Sequence, residues 1–262
     1  MTHPTLISFS GGRTSAYMLH RLLEQGQNVL ALFANTGKER PETLDFVNEC
    51  AVRWHAPVVW LEFQFVDVGG GQPKSSYKVV DYATAARNGE PFEALITQNK
   101  KCPSPVFRWC TDRLKIRPIR QYIKATFPAD YGDMKMAIGI RADEAHRGKN
   151  QTYSKPKPIF PLLDAGITKH DVDAFWRKQP FDLRIDSRQG NCDMCFLKRR
   201  SVLVELIRQE PDRAAWWIEQ EARTGTVFNR AASYADLKTM SERLRLFDLG
   251  DDVGGVSCFC TD

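Results

Sequence analysis

Leu6-Ile7-Ser8-Phe9-Ser10-Gly11-Gly12-Arg13-Thr14-Ser15 is the stretch on which the fold turns. A short apolar run stops at Ser-Gly-Gly, and between Ala16 and Leu23 the apolar residues Tyr17, Met18, Leu19, Leu22 and Leu23 return at helical spacing. The order is strand, tight loop, helix. Such a loop gathers free backbone N–H groups, the positive end of a helix dipole and the hydroxyls of Ser10, Thr14 and Ser15 into one concavity that suits an anion. The glycines let the backbone approach phosphate oxygens with no Cβ between them. Arg13 either adds charge to the loop or points to solvent. A serine-capped turn without a ligand shares this pattern, and the Gly-Lys-Ser/Thr ending of a Walker loop is absent.

Working outward, Val29 to Ala34 reads as a second buried strand, Pro41 to Trp54 as a helix with proline in its first turn, and Val58 to Phe63 as a third strand. Strands alternating with helices predict a parallel sheet with right-handed crossovers. Gly69-Gly70-Gly71-Gln72-Pro73 interrupts the alternation, and the chain to about Pro105 reads as an excursion over the top of the sheet with one modest helix at Val79 to Arg87. A helix over Leu114 to Thr126, a central strand over Met134 to Ile140 and a short extended segment within Pro156 to Pro161 follow. Beyond Thr168 the pattern is helical, at His170 to Lys178, Ser201 to Gln209, Asp212 to Ala222 and Ala235 to Phe247.

A chain of 262 residues with 42% hydrophobic and 26% charged residues can bury a substantial core and is not of disordered composition. No apolar run approaches the roughly 18 residues of a membrane span, and Met1 to Ser8 lacks a basic-then-apolar leader, so the expected address is cytoplasmic. There an odd set of seven cysteines with a close pair at Cys192 and Cys195 points to metal or redox chemistry rather than a disulfide framework. A net charge of +5 fits anionic partners, nucleotide or nucleic acid, and equally a solvated basic surface.

Four segments carry a family resemblance. Ser10 to Ser15 resembles the Ser-Gly-Gly-x-x-Ser loop of the N-type ATP pyrophosphatases and phosphoadenosine phosphosulfate (PAPS) reductases. Asn35-Thr36-Gly37-Lys38-Glu39-Arg40-Pro41-Glu42-Thr43 resembles their Asp-Thr-Gly-x-x-x-Pro-Glu-Thr segment. Arg108-Trp109-Cys110-Thr111-Asp112-Arg113-Leu114-Lys115-Ile116-Arg117-Pro118 is similar to Arg-Trp-Cys-x-x-x-Leu-Lys-x-x-Pro, and Gly139 to Arg147 to Gly-x-Arg-x-x-Glu-x-x-Arg. Pro161-Leu162-Leu163 and Thr168 to Val172 extend the likeness over about Leu6 to Asp173. One departure is Thr14, where the pyrophosphatases usually carry Asp.

The resemblance implies an α/β, parallel-sheet, Rossmann-like PP-loop domain (adenine nucleotide alpha-hydrolase-like) over residues 1–175, with a helical cysteine-bearing region over 176–262. It implies nucleotide contacts from Ser10, Gly11, Gly12, Arg13, Thr14, Ser15, Asn35, Thr36, Gly37 and Arg147. Lys115 and Arg141 would bring charge to phosphate or sulfate oxygens, and Asp143 and Glu144 would orient the arginines or help hold Mg2+. Lys115, Arg141, Glu144 and Cys258 are the candidate catalytic residues. Trp109 and Cys50 read as core.

Gly190-Asn191-Cys192-Asp193-Met194-Cys195-Phe196 places a Cys-x-x-Cys knuckle before a basic helix, so that two thiolates can reach one metal. Cys110 and, upstream, Cys102 are the partners that would complete a four-thiolate site. Some sulfur-metabolising relatives hold a 4Fe-4S cluster on a comparable split set, while spacing alone admits zinc. PAPS reductases without a cluster use a cysteine near the C-terminus in a Glu-Cys-Gly-x-His element; that element is absent, and the tail offers Cys258 and Cys260 instead.

Three readings follow. In the first, an enzyme binds ATP, an acceptor oxygen attacks the α-phosphate, pyrophosphate leaves, and cluster-bound or thiol-bound sulfur displaces the adenylate, with tRNA or DNA as acceptor. This is a transferase. In the second, an oxidoreductase, a thiolate attacks the sulfur of PAPS or adenosine phosphosulfate, and a thioredoxin-like reductant releases sulfite. In the third the chain binds nucleotide without turnover. A homo-oligomer is compatible with each.

Overall fold

The computed structural model describes residues 3–67, 69–149, 155–186 and 189–243. Its centre is a six-stranded sheet in the order β4-β3-β2-β1-β5-β6. The strands are β1 (Thr5–Ser8), β2 (Val29–Asn35), β3 (Val58–Val66), β4 (Lys74–Val80), β5 (Lys135–Ile138) and β6 (Lys157–Ile159). All neighbouring pairs are parallel except β3 and β4. Because the chain winds from β1 towards β3 on one side and through β5 and β6 on the other, the strand order reverses between β1 and β5. In open α/β sheets the crevice at the carboxyl ends of such strands is the ligand site.

Burial on both faces explains why the central strands read as unbroken apolar runs. Leu6 of β1 turns to one face, where Leu32, Met134 and Met136 meet Ile123 of α4 (Arg117–Thr126). Ile7 turns to the other, where α1 (Arg13–Glu24) and α2 (Pro41–Arg53) pack with Met18, Leu19, Leu22, Leu44, Phe46 and Val47. Pro41 stands in the first turn of α2, as its fixed φ favours. Residues after α7 (Lys169–Trp176) return to this face: Phe181 lies 5.6 Å from Trp176 and 6.0 Å from Phe46 between ring centroids. A capping box between Thr168 and Asp171 fixes the start of α7.

A further apolar cluster joins α3 (Glu90–Asn99) and Phe63 of β3 to the late helices α8 (Arg200–Gln209), α9 (Pro211–Thr224) and α10 (Tyr234–Arg243). Phe92, Trp217, Phe228 and Tyr234 are its aromatic centre, with Trp217 and Tyr234 stacked at 5.1 Å. The short helices α5 (Ala145–Lys149) and α6 (Pro161–Asp164) flank β6.

Three expectations are corrected here. The stretch after Gly71 is no excursion but an antiparallel edge strand, β4, so the sheet is mixed rather than wholly parallel. The helix expected at Val79 to Arg87 lies instead at Glu90–Asn99. The helix expected from Leu114 begins earlier as a π-helical turn, Thr111–Ile116, before α4. Of the last expected helix, Tyr234–Arg243 is seen, and residues 244–247 lie outside the described residues.

Candidate nucleotide site and its cysteines

The loop from β1 into α1 has the form that anion binding requires. Gly11 has φ +79, and a Cβ there would stand 2.8 Å from Thr43 Cγ2, 3.1 Å from Val47 Cγ2 and 3.2 Å from Phe33 Cε2. The position therefore accepts glycine alone. Gly12 is the N-cap of α1 in ordinary extended geometry, with no side-chain cap hydrogen bond, so the first amides of the helix open onto the cleft. Ser15 donates to the Gly12 carbonyl at 3.0 Å and accepts from the Ser10 amide at 3.2 Å, which fixes the loop from within.

Across the sheet reversal, the segment after β5 delivers Arg141. It is 4% exposed and donates to Thr14 Oγ1 at 3.0 Å. Asp143 receives its Nε at 3.2 Å, and Glu144 pairs with Nη2 at 3.1 Å and with Arg147 Nη1 at 2.7 Å. Burial would raise the Asp143 carboxyl, but hydrogen bonding and attraction from Arg141 outweigh it and hold it below the usual carboxylate range. At Thr14, a hydroxyl rather than a carboxylate receives the guanidinium.

The second loop is built around Glu39, whose Oε2 accepts from the Thr36 amide at 2.7 Å and its hydroxyl at 2.8 Å. Its Oε1 lies 3.3 Å from Lys115 Nζ and 3.6 Å from Cys192 Sγ, and Lys115 Nζ is 3.7 Å from the same sulfur. Asn35 is fully buried, and its carboxamide donates to Glu62 at 2.6 Å and to the Ala86 carbonyl at 2.8 Å while accepting from the Gly37 amide at 3.0 Å. It shapes this loop. Gly37 has φ +77 with Gly89 Cα 3.0 Å from where a Cβ would be.

The Cys-x-x-Cys knuckle is stitched across both loops. The Arg40 amide donates to the Asn191 carbonyl and the Asp193 amide to the Lys38 carbonyl, each at 2.8 Å, and Glu39 and Cys192 form an isolated antiparallel bridge. Asn191 Nδ2 donates to the Ser10 carbonyl at 2.9 Å. Below it Lys38 and Asp193 form a buried pair at 3.1 Å. An open cleft results, bordered by Gly12, Thr14, Arg141, Lys169, Asp186 and Asn191.

The structure thus brings Gly12, Arg13, Thr14 and Arg141 to the cleft, with Glu144 and Arg147 behind Arg141. Arg13 turns its guanidinium to Asp182, at 2.7 and 2.8 Å, and to the Leu183 carbonyl. Lys115 and Cys192 meet at Glu39. Sequence reasoning assigned no role to Glu39, Asn191 or Asp182. The first two sit inside segments already quoted, whereas Asp182 has no motif around it.

The four cysteines proposed as metal ligands are not gathered at one point. Cys102 Sγ faces Thr224 Oγ1 at 3.4 Å, and burial raises its thiol pKa against the lowering pull of the Thr224 and Thr226 hydroxyls. Cys102, Cys110 and Cys195 border the late apolar cluster, while Cys192 faces Glu39 and Lys115. Among the described residues no group of three or more His, Cys, Asp or Glu is arranged to hold a metal ion. Glu144 Oε2 fits a divalent cation: it is buried and has no hydrogen-bond partner among the described residues. Cys50 is buried core with its thiol pKa raised by burial, and Trp109 packs edge-on against Phe92 at 5.9 Å. Cys258 and Cys260 lie outside the described residues. No helix among the described residues is long and apolar enough to cross a membrane.

A doubly wound sheet with an open helix N-terminus at its reversal point, faced by a buried arginine, defines a nucleotide-binding α/β protein. Residues 4–63 match the phosphoadenosine phosphosulfate reductase domain. The chain is 38% identical over 203 residues to the uncharacterized nin region protein ORF290 of Escherichia phage lambda, an alignment covering 74% of this chain and 66% of the phage protein. An uncharacterized protein of Methanocaldococcus jannaschii is 23% identical over 164 residues, covering 60% of this chain and 32% of that one. The crystal structure of a predicted subunit of tRNA methyltransferase from Methanocaldococcus jannaschii superposes with a TM-score of 0.35 at 16% identity, covering 81% of this chain and 92% of its own.

Proposed function

We propose that the chain binds ATP with its phosphates on the Gly12–Ser15 amides and activates an acceptor oxygen by adenylation, pyrophosphate leaving, for replacement of that oxygen by sulfur. The observation that carries this reading is Arg141, buried and aimed at the loop through Thr14, where a guanidinium meets charge on the phosphates. Asp143 and Glu144 hold it in place. Glu144 would hold Mg2+, which would supply positive charge to the triphosphate and the leaving pyrophosphate. Lys115 and Cys192 set a cation and a thiol side by side at the edge of the second loop.

Incubation of [α-32P]ATP with Mg2+ and a nucleic-acid acceptor, resolved by chromatography, tests the reading. Labelled AMP in place of labelled ADP, lost in Arg141→Met, supports it. Sulfite from PAPS and a thiol reductant, with no labelled AMP from ATP, refutes it in favour of sulfonucleotide reduction. A 4Fe-4S centre on Cys102, Cys110, Cys192 and Cys195 is the finer part of the proposal. It rests on the resemblance and requires Cys192 to turn from Glu39 and Cys102 from Thr224. About four irons per chain after anaerobic purification, lost in Cys192→Ala, support it; stoichiometric zinc or no metal refutes it.

A further inference from the structure

From Lys100 to Arg120 the chain carries seven Lys and Arg (Lys100, Lys101, Arg108, Arg113, Lys115, Arg117, Arg120) against one acid, Asp112. The whole chain has 37 basic and 32 acidic residues, so this segment holds the entire positive excess and the remainder is nearly neutral. At its start the backbone makes a closed turn: the Phe107 amide donates to the Ser104 carbonyl at 3.0 Å and the Ser104 amide to the Phe107 carbonyl at 3.3 Å. Pro103 and Pro105 restrict the backbone there. Both ends are anchored, the Cys102 amide donating to Thr226 Oγ1 at 2.9 Å and Trp109 being buried against Phe92.

This rigid turn presents apolar groups to water. Val106 is 95% exposed and Phe107 61% exposed, and Lys101 Nζ lies 5.3 Å from the Phe107 ring centroid. Two apolar side chains rimmed by cations are too small a patch for a stable protein interface. One aromatic face beside positive charge is what an unpaired base and its phosphates require. The turn leads through Cys110 into the π-helical segment that carries Lys115 to Glu39 and Cys192. A strand held there lies along the path to the second loop of the cleft.

We propose that the Ser104–Phe107 turn is a docking site for single-stranded nucleic acid, with a base stacked on Phe107 and the backbone phosphates neutralised by Lys100, Lys101 and their basic neighbours. The inference rests on the acceptor half of the function proposed above. Its test uses no nucleotide, so it fails or stands separately from the adenylation chemistry. Fluorescence anisotropy of a labelled 20-nucleotide RNA and DNA, single-stranded and duplex, is measured between 50 and 200 mM salt for wild type, Phe107→Ala and Lys100→Glu/Lys101→Glu. We expect single strands to bind more tightly than duplex. Phe107→Ala should weaken single-strand binding about 5- to 100-fold with an unchanged salt slope, and the double charge variant should lower that slope by about 2. Thermal melts should match wild type, since all three side chains are exposed. Absence of single-strand binding, duplex binding of equal strength, or an unaltered Phe107→Ala overturns the proposal.

Discussion

Gly11 and Gly12 are adjacent, yet the structure assigns them different duties, and substituting each separately tests the phosphate loop. At Gly11 an alanine must hold φ +79, which costs about 1–2 kcal/mol, and its methyl would stand 2.8 Å from Thr43 Cγ2 among buried neighbours. Crowding of that kind adds roughly 1–3 kcal/mol. Together these take roughly 2–5 kcal/mol from a stability on the order of 5–15 kcal/mol. At about 2–4 °C per kcal/mol for a chain of this size, Gly11→Ala should melt roughly 4–20 °C below wild type.

Gly12, at φ −99 and ψ 163, is in extended backbone that valine adopts freely. Gly12→Val loses a permissive N-cap, worth up to about 1 kcal/mol, and should melt within about 4 °C of wild type. A side chain at this N-cap directly precedes the first amides of α1, the ones offered to phosphate. Loss of two charge-assisted hydrogen bonds at roughly 1.5–3 kcal/mol each lowers affinity at least about 100-fold. Differential scanning fluorimetry and titration with a fluorescent ATP analogue separate the two effects. Normal ATP affinity in Gly12→Val would remove the phosphate-loop assignment, and a wild-type melt for Gly11→Ala would remove the backbone argument.

Arg141→Lys keeps the charge but loses the planar fork that reaches Thr14, Asp143 and Glu144 together, so ATP affinity by calorimetry should fall about 10-fold or more. The Asp143 pKa is lowered on folding, so its contribution to stability is present above the unfolded value near 3.9 and lost as pH falls through the lower folded value. Thermal melts from pH 6 to 2.5 should show that acid-side loss reduced in Asp143→Asn; identical profiles would contradict the pairing with Arg141. Trp217→Ala removes a buried indole stacked on Tyr234 and hydrogen-bonded to Asp193, and chemical denaturation should register a loss of roughly 3–5 kcal/mol.

The nucleotide half of the fold was legible because burial on both faces leaves an unbroken apolar signature in β1, β2 and β3, and because Gly11 and Pro41 mark turns by their own geometry. β4 was not, for the opposite reason. Lys74–Val80 pairs on one side only, and its half-exposed side chains carry no apolar run. The helix assigned to Val79–Arg87 belongs at Glu90–Asn99, where Glu90 and Pro91 open it after left-handed Gly89. At the site, motifs marked the loops but not the bonds between them. That Asn191 reaches Ser10, and Asp182 reaches Arg13, depends on a return of the chain some 170 to 180 residues later, which no local spacing encodes.

The π-helical turn Thr111–Ile116 also bears on sequence alignment. Bonding from i to i+5 accommodates one residue more than an α-helical path between the same ends, the mark of a single inserted residue. Deleting one residue here would restore ordinary winding and turn everything upstream by about 100° about the axis relative to α4, parting Cys110 and the Ser104–Phe107 turn from their present bearings on Lys115. A homologue with a one-residue gap at this point would keep Arg-Trp-Cys and Leu-Lys as letters while presenting them on different sides of the helix.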